Sequence, residues 1–281
     1  MRKIEASQIT EAVAKLATDA NYYLSHDIYD ALVENQKVER SPLGKEILGK
    51  LVENADIARA EDMPICQDTG MAVLFVELGQ DVQIVGDSLA NAINAGVAKG
   101  YTEGYLRKSV VAEPVFERKN TKDNTPAIIH VELVPGDKLK LLLAPKGFGS
   151  ENKSAIKMLV PADGIQGIKD FVVDTVKKAG SNPCPPMVVG VGIGGTFEKC
   201  AYLAKKALTR PITSKNEDPR YAKLEEELME LIRKTGLGPQ GLGGDVTALG
   251  VNIEWYPTHI AGMPVAVNIN CHATRHAEVE L

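Results

Sequence analysis

The pattern of hydrophobic residues along this chain is helical up to about residue 62 and then becomes mixed. Before that point, apolar side chains such as Ile9, Val13 and Leu16 recur at the spacing of one helical face, and Ser25 and Ser41-Pro42 are typical of helix starts. The sequence therefore predicts a helical region over residues 1–62. After it, short apolar runs predict strands at 71–76, 82–85, 127–134 and 138–144.

The rest of the chain, residues 63–281, alternates between helical and strand patterns. Further helices are predicted at 87–99, 163–178, 196–208 and 219–234, and further strands at 187–191, 246–253 and 265–269. The turn Pro135-Gly136-Asp137 predicts that strands 127–134 and 138–144 form a hairpin, and the acidic run from Glu225 to Glu230 predicts a solvated helix face. This order predicts an α/β or α+β fold, in which the N-terminal helical region precedes a mixed-sheet domain with flanking helices.

Size and charge narrow the class of protein. The chain has 281 residues, 44% of them hydrophobic, which is enough for a large core. Its net charge of -5 argues against an extended nucleic-acid surface. No run reaches the roughly 18 to 20 apolar residues that span a membrane, and the start lacks the apolar core of a signal peptide. We therefore expect a cytoplasmic protein with no membrane partner.

Three of the four cysteines lie in unusual surroundings. They are Cys66 in PICQDTG (64–70), Cys184 in NPCPP (182–186) and Cys271 in NCHATRH (270–276). Nearby prolines disfavour regular helix or strand, which leaves backbone amides available to hydrogen-bond sulfur. These surroundings indicate an iron-sulfur centre, in which three thiolates on a four-iron cubane leave one iron open as a Lewis acid. Buried, unreactive cysteine is the alternative, and it is our interpretation of Cys200.

Glycine-rich segments suggest further sites. The run 188–196 contains GxGxxG between a predicted strand and a predicted helix, as in dinucleotide-binding proteins, but no second strand ending in an acidic residue follows it. The loop KGFGSENK (146–153) and the segment GLGGD (241–245) would let the backbone approach a ligand closely, or would simply connect elements.

Two isolated polar residues are further candidates. His259 precedes Cys271 by twelve positions, so one strand and the turn before it are expected to bring both to a common site. Arg107 has a planar two-donor side chain that suits a dicarboxylate. The simpler interpretations are that His259 is a structural histidine and that Arg107 is a surface charge.

Taken together, the ordered motifs resemble the α subunit of the two-subunit class I fumarate hydratase and L-tartrate dehydratase family, the iron-sulfur hydro-lyases. The resemblance rests on PICQDTG, KGFGSENKS, NPCPP followed by GVGIGGT, and GLGGDVTALGV leading to PTHIAGMPVAVNINCHATRH. It covers nearly the whole chain. It implies that Cys66, Cys184 and Cys271 hold a 4Fe-4S cluster with one iron lacking a protein ligand. Residues implied at the substrate or acid-base positions are Gln67, Asp68, Arg107, Gly149 and His259.

The resemblance also implies a partner and a reaction. Longer single-chain relatives carry a further C-terminal domain, so we expect a separate β subunit to complete the active site, in a hetero-oligomer that contains a dimer of this chain. The expected reaction is reversible hydration of fumarate to malate, with dehydration of L-tartrate as the nearest alternative. Asp68 is the first candidate for proton transfer and His259 the second.

Two other classes of function stay open on the sequence. A nicotinamide-dependent oxidoreductase would use the glycine run, although its acidic partner residue is missing. An iron-sulfur electron carrier would need a fourth protein ligand, and Cys200 lacks the neighbours of one.

Overall fold

The computed structural model describes all 281 residues of the chain, which form eight α-helices and ten strands. The helices are α1 (Ala6–Tyr22), α2 (His26–Val38), α3 (Pro42–Ala60), α4 (Leu89–Glu103), α5 (Phe148–Glu151), α6 (Gly164–Ala179), α7 (Phe197–Ala207) and α8 (Pro219–Arg233). The strands are β1 (Arg2–Glu5), β2 (Met71–Gly79), β3 (Val82–Val85), β4 (Ile128–Val134), β5 (Leu139–Lys146), β6 (Ala155–Leu159), β7 (Met187–Gly194), β8 (Ala248–Tyr256), β9 (Met263–Asn270) and β10 (Ala277–Glu280).

The predicted fold class is confirmed. Helices α1 to α3 occupy most of the N-terminal region, and mixed sheets with flanking helices follow. Three short strands, β1, β6 and β10, were not predicted, because runs of four or five residues that include charged side chains carry little periodicity. No helix has the length and apolar character needed to cross a membrane.

The chain divides into two compact units, each assembled from separate segments. Unit 1 comprises Met1–Leu24, Ile57–Phe148 and Arg275–Leu281, and unit 2 comprises Ser25–Asp56 and Gly149–Thr274. Each unit contains one four-stranded sheet and its own hydrophobic core.

Unit 1 is built on a sheet with the strand order β10-β5-β2-β4, together with the parallel pair β1 and β3. Strand β2 pairs in parallel with β4 and antiparallel with β5. The predicted face of α1 is confirmed, since Ile9 and Val13 are fully buried in a core that also contains Leu74 and Leu141 from the sheet. Helix α4 packs on α1 in the same core.

The predicted hairpin between β4 and β5 is wrong. Strand β2 lies between them, and the segment 135–138 instead crosses the end of β2. There Gly79 donates its amide to the carbonyl of Lys138 at 2.9 Å. A side chain at Gly79 would lie 2.4 Å from the carbonyl oxygen of Gly136, so this crossing requires glycine. A turn motif predicts that the chain reverses direction. It does not predict whether the two strands that it connects pair with each other or with a third strand between them.

Unit 2 is built on a sheet with the strand order β6-β9-β7-β8. Helix α7 packs against β7, and the run of glycines in β7 makes this possible. A Cβ at Gly190 would lie 2.1 Å from the carbonyl oxygen of Ala204, and one at Gly192 would lie 2.0 Å from that of Cys200. The glycine spacing thus has a packing role, and Cys200 is a fully buried packing residue, as predicted.

The prediction of a solvated acidic face on α8 is wrong for one residue. Glu225 is 7% exposed and accepts hydrogen bonds from the amide of Ile253 at 2.7 Å and from the guanidinium of Arg210. The side chain of Arg210 also donates to Asn252 at 3.2 Å and to Glu254 at 3.1 Å. A buried carboxylate is tolerated here because the arginine and a backbone amide satisfy it.

Candidate active site

In unit 1, the segment that carries Cys66 is an irregular loop between α3 and β2. The carboxylate of Asp68 accepts hydrogen bonds from two backbone amides, from Gly70 through Oδ1 at 3.0 Å and from Phe148 through Oδ2 at 3.0 Å. The second bond joins PICQDTG to the KGFGS loop. Two motifs that are far apart in sequence therefore meet at the Asp68 side chain.

The loop approaches β5 closely at Gly70. This residue has a φ of +72°, and a Cβ on it would lie 2.7 Å from the backbone nitrogen of Lys146. Only glycine meets both demands without strain. The glycine of PICQDTG thus allows the loop to sit against the end of β5, where the KGFGS loop begins.

Buried donors hold the backbone of the same loop. The hydroxyl of Tyr101 donates to the carbonyl oxygen of Thr69 at 2.7 Å, and Nδ2 of Asn124 donates to that of Gly70 at 3.1 Å. Both side chains are fully buried. Burial raises the pKa of the Tyr101 hydroxyl above its ordinary value of 10.0, which keeps it a protonated donor at neutral pH.

The remaining predicted residues of unit 1 lie around this loop. The thiol of Cys66 is partly exposed and donates to Oε1 of the exposed Gln67 at 3.3 Å. Arg107 is exposed, and its carbonyl oxygen accepts a hydrogen bond from the hydroxyl of Thr69 at 3.0 Å. Cys66, Gln67, Asp68 and Arg107 are therefore all tied to one loop and its neighbour.

In unit 2, Cys184 occupies a turn just before β7. It is exposed and has a φ of +52°, which is unusual for a residue other than glycine. Its carbonyl oxygen lies 3.3 Å from the donating amide of His272 and 3.0 Å from Nδ1 of the same residue. Because His272 follows Cys271 directly, the structure brings the NPCPP and NCHATRH motifs together.

A third motif joins this group through Gln240, in the loop that leads to GLGGD. The amide and the side-chain Nε2 of Gln240 donate to the carbonyl oxygen of Pro185 at 2.7 Å and 2.9 Å. Gly149 also lies near, since a Cβ on it would be 3.4 Å from the carbonyl oxygen of Asn182. Gln240 was not singled out from the sequence. Its positive φ of 53° inside a glycine-rich segment is visible only in the structure.

Within one chain, the structure does not bring His259 next to Cys271. His259 is exposed in the turn between β8 and β9, where its Nδ1 accepts from the amide of Ala261 at 3.2 Å. Strand β9, with eight residues, separates it from Cys271. An extended strand of that length covers about 26 Å. The two residues therefore lie at opposite ends of β9.

The thiols suit a cluster better than a single ion. No three His, Cys, Asp or Glu side chains converge where they could hold one metal ion. In a cubane each thiolate binds a different iron, so the thiols need not converge on a point. Cys66, Cys184 and Cys271 are accessible or partly accessible and lie on loops, unlike the fully buried Cys200. Accessible thiols on loops have the donor chemistry of an iron-sulfur cluster.

Another cavity in unit 2 contains none of the predicted site residues. It has a volume of about 920 Å³ and is lined mainly by the polar segment 210–220, with Glu254 and Trp255. Its lining includes acidic and basic side chains, and two pairs of them, Arg210 with Glu254 and Arg220 with Asp218, form salt bridges. The motif residues, rather than this cavity, carry the candidate chemistry.

Comparison with known proteins assigns the chain to a family. The model of the family described as "Fumarate hydratase (Fumerase)" matches residues 10–280. A Methanocaldococcus jannaschii protein named "Putative L(+)-tartrate dehydratase subunit alpha" is 42% identical over 276 residues, which are 96% of this chain and 96% of that protein.

More distant relatives have the same kind of name. An Escherichia coli "L(+)-tartrate dehydratase subunit alpha" is 32% identical over 279 residues, which are 98% of this chain and 91% of that protein. A Shigella sonnei protein of the same name is 32% identical over 273 residues, 96% of this chain and 89% of that protein. The chain belongs to the fumarate hydratase family, a family of hydro-lyases.

Proposed function

We propose that this chain is the α subunit of an iron-sulfur hydro-lyase that acts on a C4 dicarboxylate, with L(+)-tartrate as the leading substrate. The observation that carries the proposal is similarity along nearly the full chain to proteins named L(+)-tartrate dehydratase subunit alpha. Hydration of fumarate to malate, the reaction expected from the motifs, is the second candidate because the family model has the fumarate hydratase name.

We propose Cys66, Cys184 and Cys271 as the ligands of a 4Fe-4S cluster. When bound, a cluster with one open iron supplies a Lewis acid that makes the substrate hydroxyl a better leaving group. The accessibility of these thiols supports the assignment, as does the hydrogen bond from the His272 amide to the Cys184 carbonyl. Cys200, fully buried in α7, is left out of the ligand set.

The protein's own side chains have two tasks in such a reaction. Dehydration breaks a C–H bond at one carbon and a C–O bond at the next, and releases water. We propose that Asp68 accepts or returns the proton, because its carboxylate is held by two amides while the residue stays partly exposed. Gln67, Arg107 and the backbone at Gly149 would bind the substrate carboxylates and so orient the C–H bond toward Asp68.

His259 is the second candidate for proton transfer. Since β9 separates it from Cys271 in the same chain, we propose that it acts at the site of a second copy of the chain. This gives a physical reason for the dimer of α subunits that the motifs imply. The separate β subunit, which the name "subunit alpha" of the relatives supports, would complete the substrate site.

The experiment is anaerobic purification of the chain alone and together with its partner subunit, followed by iron and sulfide counting and assays on L(+)-tartrate and fumarate. We expect about four irons per α chain, little activity without the partner, and faster dehydration of tartrate than hydration of fumarate. A complex that turns over fumarate faster would reverse the substrate order. A complex without iron that still turns over either substrate would refute the proposal.

A further inference from the structure

Arg275 is a buried charge with few partners. Its residue is 4% exposed, and Nη2 donates to the carbonyl oxygen of Asp68 at 2.7 Å. Nε and Nη1 are buried and make no hydrogen bond within the protein. The partly buried Arg210, by contrast, hydrogen-bonds both acidic and amide side chains. Burying a guanidinium with so little compensation is costly, which calls for a reason other than stability.

The carbonyl that Arg275 binds is the first of three consecutive ones. The carbonyls of Asp68, Thr69 and Gly70 accept hydrogen bonds from Arg275, Tyr101 and Asn124 respectively. The three donor side chains are all buried. This loop has no helix or strand hydrogen bonds, and buried side chains instead hydrogen-bond the carbonyl of every residue from 68 to 70.

These hydrogen bonds hold the backbone from which the Asp68 carboxylate extends. That carboxylate is bound through its oxygens to the amides of Gly70 and Phe148, so the residue is held both at its own carbonyl and at its side chain. If the carbonyl bond is lost, the peptide between residues 68 and 69 loses the contact that fixes its orientation, and we expect the carboxylate to shift with it. Errors of about 1 Å in such a group lower reaction rates strongly.

We propose that Arg275 is a positioning residue that holds Asp68 in the orientation needed for proton transfer. The inference rests on the proposed function, in which Asp68 handles the substrate proton. Arg275 acts through the backbone of the loop and does not need to touch the substrate. Because it also keeps a charge close to the loop, a lysine should replace it in part and a neutral glutamine should not.

The test compares Arg275→Gln and Arg275→Lys in the anaerobic complex with the partner subunit. For Arg275→Gln we expect kcat to fall about tenfold to a hundredfold, with KM and iron content unchanged. Arg275→Lys should recover part of that loss. The matched control is Arg118→Gln in the same unit, which removes an exposed guanidinium that also donates to a carbonyl oxygen, that of Pro114, and should change neither quantity.

A second measurement separates this inference from the proposed function. Amide hydrogen exchange of the peptide that contains residues 66–70, in the chain alone, should be about tenfold faster in Arg275→Gln than in the wild type. If the complex proves to have no hydro-lyase activity, the exchange result still decides whether Arg275 holds the loop. If the Arg275→Gln variant has the same exchange rate and the same kcat as the wild type, the inference is overturned.

A purely structural role would give a different pattern. In that case Arg275→Gln would lower the melting temperature and the iron content together with kcat, and Arg275→Lys would give no recovery, which also overturns the inference. Should Arg275→Gln fail to fold, Tyr101→Phe takes its place, since it removes only the hydroxyl that holds the next carbonyl. It should lower kcat and speed exchange in the same direction, and wild-type values for both would overturn the proposal.

Discussion

Cys184 combines an accessible thiol with a strained backbone. Its φ of +52° lies in the left-handed region, which costs a residue other than glycine about 1–2 kcal/mol. The bonds from His272 to its carbonyl, and from Gln240 to that of Pro185, hold this conformation in place. Strain kept by surrounding hydrogen bonds is typical of functional positions. It supports Cys184 as a cluster ligand rather than a packing residue.

Replacing Cys184 with serine should remove the cluster and with it the hydro-lyase activity, because a hydroxyl is a poor substitute for a thiolate toward iron. Iron and sulfide counting on oxygen-free protein, with an activity assay, measures both losses. Cys200→Ala is the matched control, since that thiol is fully buried in α7, and it should keep full iron content. Equal iron loss in the two variants would contradict the assignment.

Replacing Asp68 with asparagine should lower kcat by about two to four orders of magnitude, the usual effect of losing a general acid or base. The amide oxygen can still accept a hydrogen bond from Gly70 or Phe148, so the loop and the iron content should be retained. The measurement is kcat together with the iron content of the same sample. Full turnover in an iron-loaded Asp68→Asn protein would remove Asp68 from the mechanism.

At the scale of elements, one buried carboxylate joins the end of α2 to the GLGGD segment. Glu39 is 1% exposed and accepts from the amides of Ser41, Asp245 and Val246 at distances of 2.8 to 3.1 Å. A Cβ at Gly244 would lie 2.9 Å from this carboxylate. The glycine therefore lets backbone amides surround the side chain, and this segment has a structural role of its own.

The protonation of Glu39 should be visible in the stability of the protein. Burial alone would raise its pKa, but the hydrogen bonds from the three amides outweigh it and lower the pKa below the ordinary value of 4.5. A carboxyl with a lowered folded pKa stabilises the protein above its unfolded pKa, and that contribution is lost as the pH falls through the folded pKa.

We therefore expect Glu39→Gln to lower the free energy of unfolding by about 1–3 kcal/mol at pH 7, and by progressively less below pH 4.5. Urea denaturation at several pH values measures the difference. The control, Glu34→Gln, affects only an exposed pair with Lys37 on the neighbouring α2 surface, and should change stability by less than about 1 kcal/mol. A Glu39→Gln difference that does not vary with pH would contradict the explanation.

At the scale of the whole molecule, the motifs fall into two groups that belong to different units. PICQDTG and the start of KGFGS meet in unit 1, while NPCPP, His272 of NCHATRH and the loop of Gln240 meet in unit 2. His259 lies at the far end of β9 from the second group. This placement supports the proposal that His259 acts at the site of a second copy of the chain.

Mixing two inactive variants tests whether His259 acts at the site of the second copy. His259→Gln and Cys184→Ser should each lack activity when purified alone, for different reasons. In mixed dimers one of the two sites receives an intact cluster and an intact histidine, so a complex in which every dimer is mixed should recover about half of the wild-type activity. The measurement is the activity of a doubly tagged complex. No recovery, with iron present on the His259→Gln subunits, would show that His259 does not act across the dimer.

The sequence by itself determined most of the element types, the family and the packing role of Cys200. Helical periodicity placed Ile9 and Val13 in the core, and the lack of special neighbours identified Cys200 as packing, because local pattern reports burial directly. Only the tertiary structure decided what depends on contacts between distant segments. It inserted β2 between β4 and β5, buried Glu225 under Arg210, and set His259 a full strand away from Cys271. It also turned Arg275, part of a motif read for its cysteine, toward the carbonyl of Asp68, since no local pattern tells a chain which remote carbonyl a side chain will reach.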